Sequence, residues 1–202
     1  ATLGTGLFIN TFIGSNILPQ MGDFVYPLLA WAFNHQSPLY LYETRSDFAQ
    51  KKLSEGMANE NFDCMATLDK IIYSNAPNKE SKFISKKTAI DLLNENIFTF
   101  HQTWQRLRSN LSKETPISCI KVDGGYSTSD YLLQGISSLI NTKIIRMKDT
   151  ESTSKGAYVL ARLGAGLNKN SDEFADILQG GKVFKPDPMQ RKLLLDLFHK
   201  PK

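Results

Sequence analysis

The stretch Ile117 to Gln134, ISCIKVDGGYSTSDYLLQ, constrains the chain more than any other. Ile117, Cys119, Ile120 and Val122 predict a buried strand. Asp123-Gly124-Gly125 ends it, and Ser127 or Ser129 is placed to cap the helix that follows. That helix carries Tyr131, Leu132, Leu133, Ile136, Leu139 and Ile140, and Thr142 to Met147 predicts a second buried strand. Strand, helix and strand within about thirty residues form a βαβ unit, so the two strands should be parallel. A strand that stops at a glycine pair and feeds a helix is a recurrent way to hold a nucleotide. Glycine lets a ligand approach the backbone, and the first helical turn offers unpaired N–H groups to phosphate.

The rest of the chain fits an α/β reading. Residues 1 to 16 predict a hairpin-like opening, with a tight turn at Gly4-Thr5-Gly6 and a strand from Leu7. No Lys-Ser or Lys-Thr follows those glycines, and Ile9 stands where a dinucleotide fingerprint needs a third glycine. Val25 to Phe33 is an apolar run bent by Pro27, and Pro38 to Tyr42 predicts another strand. Ser46 to Met57 and Asp63 to Tyr73 read as helices, the second with Met65, Leu68 and Ile72 on one face. Ser85 caps the clearest helix, to Ser109, whose stripe is Ile90, Leu93, Ile97, Phe100, Trp104 and Leu107. Beyond the βαβ unit, helices are expected at Ser154 to Leu167, Phe174 to Gly181 and Gln190 to His199. Gly156, Ala157, Ala161 and Gly164 should keep one helix face thin enough for close packing.

Composition excludes several classes. With 202 residues, 41% hydrophobic and 22% charged, the chain is long enough for one domain with a real core. Its net charge of +4 is mild and unclustered, which favours a solvated surface over a nucleic-acid partner. No apolar run approaches the ~20 residues of a membrane span, and the start lacks the basic region of a signal peptide. Cys64 and Cys119 are in neither CxxC nor metal-ligand spacing, and His35, His101 and His199 are scattered. No metal site or disulfide is expected, and a reducing compartment, the cytoplasm, fits that usage. The chain opens at Ala1 on a phosphate-loop-like turn, which predicts a fragment, a cleaved product or a shortened gene.

Three motifs resemble one family. Val122-Asp123-Gly124-Gly125, followed by Asp130-Tyr131-Leu132-Leu133-Gln134, resembles the adenosine motif of the FGGY carbohydrate kinases, nearest the glycerol kinase-like branch. Thr2-Leu3-Gly4-Thr5-Gly6 resembles that family's second phosphate motif, and Glu151 to Ala157, running to Gly166, its closing helix motif. Tyr26-Pro27-Leu28 with Trp31, Glu95 with Ile97, and Phe184-Lys185-Pro186 also fit. The resemblance spans residues 1–31 and about 83–190. Between them the family's Ala-Pro-x-Trp-Asp-Pro motif survives at best as Ser74 to Lys79, so the segment at about 32–82 reads as shortened.

The resemblance implies a ribonuclease-H-like α/β domain, the class of actin and sugar-kinase ATPases, with a mixed sheet flanked by helices. Residues 1–202 would be a single C-terminal nucleotide-binding domain, without the N-terminal domain that carries the catalytic base and most Mg²⁺ and acceptor contacts. It implies ATP as ligand, with Mg²⁺ bound mainly through the absent domain, and phosphotransfer to an alcohol group of a polyol or sugar. Gly4, Thr5 and Gly6 would hold the terminal phosphates; Gly124 and Gly125 would seat the adenosine. Ser129 stands where the family usually has an asparagine contacting adenine, Lys155 replaces a usual leucine, and Arg162 a usual glycine. No catalytic residue is assigned. Glycerol kinases commonly self-associate, which implies a homo-oligomer. Two other readings stay open: a degenerate nucleotide-binding module without phosphotransfer, and an interaction domain with an exposed apolar face.

Overall fold

The computed structural model describes residues 1–4, 6–15, 24–32, 37–46, 54–55, 58, 65–74, 85–111, 116–175 and 179–199. Its strands are β1 (Thr2–Leu3), β2 (Leu7–Gly14), β3 (Val25–Trp31), β4 (Leu39–Ser46), β5 (Cys119–Val122), β6 (Lys143–Met147) and β7 (Gly180–Phe184). Its helices are α1 (Met65–Tyr73), α2 (Lys86–Ser109), α3 (Asp130–Ile140), α4 (Ser152–Gly164) and α5 (Pro188–Phe198). Short 3-10 turns fill Gly125–Thr128 and Ser171–Phe174.

Four strands pair antiparallel in the order β1-β2-β4-β3, and three more lie in the order β5-β6-β7. β5 and β6 are parallel, as the βαβ reading requires, and β7 is antiparallel to β6. A parallel bridge from Thr2 to Asp123 joins the two groups. There Leu3 N–H donates to the Asp123 carbonyl at 2.9 Å, and Asp123 N–H to the Ala1 carbonyl at 3.1 Å. Read across β4-β2-β1-β5-β6, only β2 runs against the other four, which is the ribonuclease-H-like arrangement.

The core sits between this sheet and α2 and α3. Leu3, Leu7, Ile9 and Tyr42 of the first strands meet Leu93, Ile97, Phe100 and Leu107 of α2, and Val122, Ile136 and Ile144 of the βαβ unit, in one buried cluster. Each of these side chains is essentially removed from water, worth about 1.5–3 kcal/mol apiece. Gly135 lets α3 approach α2, since a Cβ there would run into the Ile97 side chain. Ser85 caps α2 as expected, its hydroxyl accepting from Thr88 N–H at 3.1 Å.

Several expectations are corrected. Extended backbone continues through Ser46, because β4 stays paired with β2 as far as Leu7. Most of the helix expected from there to Met57 lies outside the described residues, as do Cys64 and residues 75–80. The described residues of Phe174 to Gly181 do not form the expected helix, and residues 176–178 lie outside the described residues. A 3-10 turn ends at Phe174, and Gly180 and Gly181 enter β7 because Gly180 pairs with Met147 on β6. Cys119 is half-buried rather than buried. On the small-residue face of α4, a Cβ on Gly156 or Gly164 would meet nothing within 4 Å among the described residues, so no close packing is seen at those two positions. Among the described residues no helix is long and apolar enough to cross a membrane.

Candidate functional site

The pairing of β1 with β5 brings two glycine turns together at the C-terminal ends of parallel strands, where open α/β sheets bind ligands. On the β1 side, Gly4 N–H donates to the Gly6 carbonyl at 3.1 Å. A Cβ on Gly4 would meet nothing within 4 Å, and Gly6 is buried. Thr5 lies outside the described residues.

On the β5 side the two glycines have different tasks. Gly124 has φ +88°, a conformation that L side chains rarely adopt, and a Cβ there would strike the Leu3 carbonyl. It is what lets β1 lie against the end of β5. Its N–H donates to the Thr150 carbonyl at 3.2 Å, which ties the approach to α4 to the same corner. Gly125 is exposed, with nothing within 4 Å of its Cβ direction, so its backbone is open to a ligand. Hydroxyls lock the 3-10 turn: Ser127 donates to the Gly124 carbonyl at 2.7 Å and Thr128 to the Gly125 carbonyl at 2.8 Å. Burial pushes the Tyr126 phenol up, against a hydrogen bond with Ser54.

Ser129, not Ser127, caps α3. Its hydroxyl accepts from Leu132 N–H at 3.1 Å and donates to Asp69 Oδ1 at 2.6 Å, and the residue is fully buried. Asp69 Oδ2 accepts from Asp130 N–H at 2.5 Å and lies 3.4 Å from Tyr131 N. The first turn of α3, expected to face phosphate, is therefore filled by a carboxylate from α1. A fixed anion on the positive end of the helix satisfies the same N–H groups that a phosphate would use. Asp69 was the residue missed. Its signal was a carboxylate at position 69 among Met65, Leu68 and Ile72, on the apolar face of its own helix.

Asp130 then carries the charge that faces outward. It pairs with Arg146 at 2.9 Å and with Lys182, and both cations lie over the Phe184 ring. Burial alone would raise its carboxyl, but the two cations outweigh burial and hold it below the usual range. The departures at Lys155 and Arg162 also have local partners. Lys155 pairs with Asp149 at 2.9 Å across the turn into α4, and Arg162 Nε donates to Asn168 at 2.6 Å. Phe184-Lys185-Pro186 is held to α3, the Gln134 amide donating to the Lys185 carbonyl at 2.8 Å. Among the described residues no group of three or more His, Cys, Asp or Glu is placed to hold a metal ion.

A mixed sheet in this strand order, with glycine turns at the ends of its two central parallel strands, is a ribonuclease-H-like fold. The solved structures agree. The chain superimposes on glycerol kinase of Plasmodium falciparum, determined with ADP, with a TM-score of 0.77 over 96% of this chain and 44% of that one, at 22% identity. A ligand-bound xylulose kinase of Lactobacillus acidophilus gives a TM-score of 0.63 over 98% of this chain and 44% of that one, at 18% identity. Residues 81–165, less than half of the chain, match the family described as the FGGY family of carbohydrate kinases, C-terminal domain. Curated relatives are similar over part of the chain. The glycerol kinase of Gluconobacter oxydans is 36% identical over 84 residues, 41% of this chain and 16% of that enzyme. That of Lactobacillus acidophilus is 40% identical over 82 residues, 40% of this chain and 16% of that enzyme. The chain thus matches about a sixth of the length of these relatives and spans less than half of the solved kinases.

Proposed function

We propose that this chain is the nucleotide-binding half of an ATP-dependent polyol or sugar kinase, glycerol kinase-like in its transfer of phosphate to an alcohol group. The observation that carries the reading is the bond from Leu3 N–H to the Asp123 carbonyl, which sets the Gly4 and Gly125 turns side by side. Gly4, Thr5 and Gly6 would hold the terminal phosphates. Gly125 would offer an unobstructed backbone to the adenosine, and Gly124 would keep the two turns in register. Ser129 would serve the nucleotide by fixing the start of α3, because its hydroxyl is already bonded to Asp69 and Leu132.

Residues 1–202 would form one domain, shortened at about 32–82, that works with an N-terminal domain supplying the base and the acceptor contacts. Mg²⁺ would be held mainly by that other domain. The isolated chain would therefore show no kinase turnover. The cytoplasm would be its setting, and self-association of the complete enzyme fits the family.

A second reading, a nucleotide-binding or interaction module without phosphotransfer, is favoured by one observation. Asp69 occupies the helix N-terminus that would otherwise attract an anion.

Calorimetry with ATP and ADP in the presence of Mg²⁺, on wild type and Gly125→Val, tests the nucleotide seat. The added side chain enters open space, so the fold should survive. Saturable binding that the substitution abolishes is the expected result. No binding to wild type sinks the ATP-site assignment for this chain. Binding without phosphotransfer, after an N-terminal kinase domain is supplied, selects the second reading.

A further inference from the structure

A second cleft lies away from the glycine turns, where the first residues of β3, the end of β4 and the outer side of α2 meet. It encloses about 480 Å³ and is lined by Phe24, Tyr26, Arg45, Ser46, Thr99, Gln102 and Arg106. That volume falls within the ~300–1,000 Å³ of small-molecule sites. Its chemistry is specific. Two guanidinium groups from different elements line one space, and among the described residues neither is bonded to a carboxylate. Glu43, which faces Tyr26 across the β3–β4 ladder, is the acidic neighbour of Arg45. Burial pushes the Glu43 carboxyl up, and the charge of Arg45 works against that shift. Ser46, Thr99 and Gln102 add hydrogen-bonding groups, and the Thr99 hydroxyl, donating to the Glu95 carbonyl, can still accept.

The aromatic wall is held in place at a cost. Phe24 is a bulky residue at φ +67°, a genuine outlier for its type, and its ring stacks 5.1 Å from the Arg106 guanidinium while remaining exposed. A guanidinium presents a planar fork suited to bidentate recognition of phosphate or carboxylate, and two of them favour a multiply charged or bidentate anion.

We propose that this cleft binds a small organic oxyanion, a phosphate ester or carboxylate. Its anionic end lies between Arg45 and Arg106, and its ring or apolar part lies on Phe24 and Tyr26. The site shares no residue with the glycine turns and stands whether or not they seat ATP.

Phenyl phosphate, benzoate and benzyl alcohol, titrated separately and followed by NMR shifts of the Phe24 and Tyr26 amides, test the proposal. Phenyl phosphate or benzoate should saturate and benzyl alcohol should not; which anion binds more tightly separates a phosphate from a carboxylate site. Arg45→Gln and Arg106→Gln should each weaken the anion at least tenfold, while Lys192→Gln, an equal change of net charge on exposed α5, should leave it unchanged. Arg45→Lys keeps the charge without the fork and should lie between wild type and Arg45→Gln. Equal loss in all the variants, or no saturable anion binding to wild type, overturns the proposal.

Discussion

The Asp69 carboxylate accepts the Ser129 hydroxyl at 2.6 Å and the Asp130 N–H at 2.5 Å, so a residue from α1 completes the N-terminus of a helix sixty residues further on. Hydrogen bonds to a charged acceptor are each worth about 1.5–3 kcal/mol, and the loss here is shared between partly exposed groups. Asp69→Ala should therefore lower stability by roughly 2–3 kcal/mol, and Asp69→Asn by about half of that. Urea unfolding monitored by circular dichroism measures both. A change below ~0.5 kcal/mol for Asp69→Ala would remove the cap from the account.

The two adjacent glycines should respond in opposite ways. Gly124→Ala forces a side chain into positive φ and into the Leu3 carbonyl, and should cost about 2–4 kcal/mol. Gly125→Ala meets open space and should stay within ~0.5 kcal/mol of wild type. Thermal melts of the pair decide it, and equal losses would show that the corner is not built as described.

Acid should act through Asp130. Its folded carboxyl titrates below the ordinary 3.8, so its pairing with Arg146 and Lys182 stabilises the fold above that value. The contribution is lost as pH falls through the lower folded value. Asp130→Asn should thus be less stable than wild type at pH 6 and should converge with it toward pH 2. Curves that stay parallel over that range would contradict the pairing.

His101 should act at milder pH. Burial, then Arg191 and His199, hold its imidazole below the ordinary 6.5, and its Nδ1 is buried without a partner among the described residues. The ring lies edge-on to Phe198 of α5, at 5.3 Å between centroids. A base depressed in the folded state favours folding above its unfolded value, and that benefit is lost as pH falls from about 6.5 through the folded value. Proton NMR titration should show the shift directly, and His101→Leu should flatten stability between pH 5 and 7. An unshifted titration would count against it.

Local chemistry made much of this domain readable. The stripe of α2, the cap at Ser85 and the parallel pairing of β5 with β6 follow from patterns spanning a few turns of chain, whereas the cap of α3 was narrowed only to Ser127 or Ser129. What failed depended on distant partners. Phe174 to Gly181 has helical spacing, yet Gly180 is drawn into a ladder by Met147, more than thirty residues earlier. The expectation that the α3 N-terminus awaits an anion failed for the same reason, since its occupant comes from α1. Of the site, the glycines were visible as residue types. Their division of labour was not, because only the approach of Leu3 separates a packing glycine from an open one.

The seam between β1 and β5 also bears on how the chain folds. The hydrogen bonds there link positions 120 residues apart, such as Ala1 and Lys121, while β2 to β4 and β5 to β6 pair over much shorter distances. Closing so long a loop carries a large entropic toll and few immediate contacts, so it belongs late in assembly. The two sheets should gain hydrogen-exchange protection first and the amides of Leu3 and Asp123 last. The corner that would cradle a nucleotide is then the final part of the molecule to take shape, and the first to open.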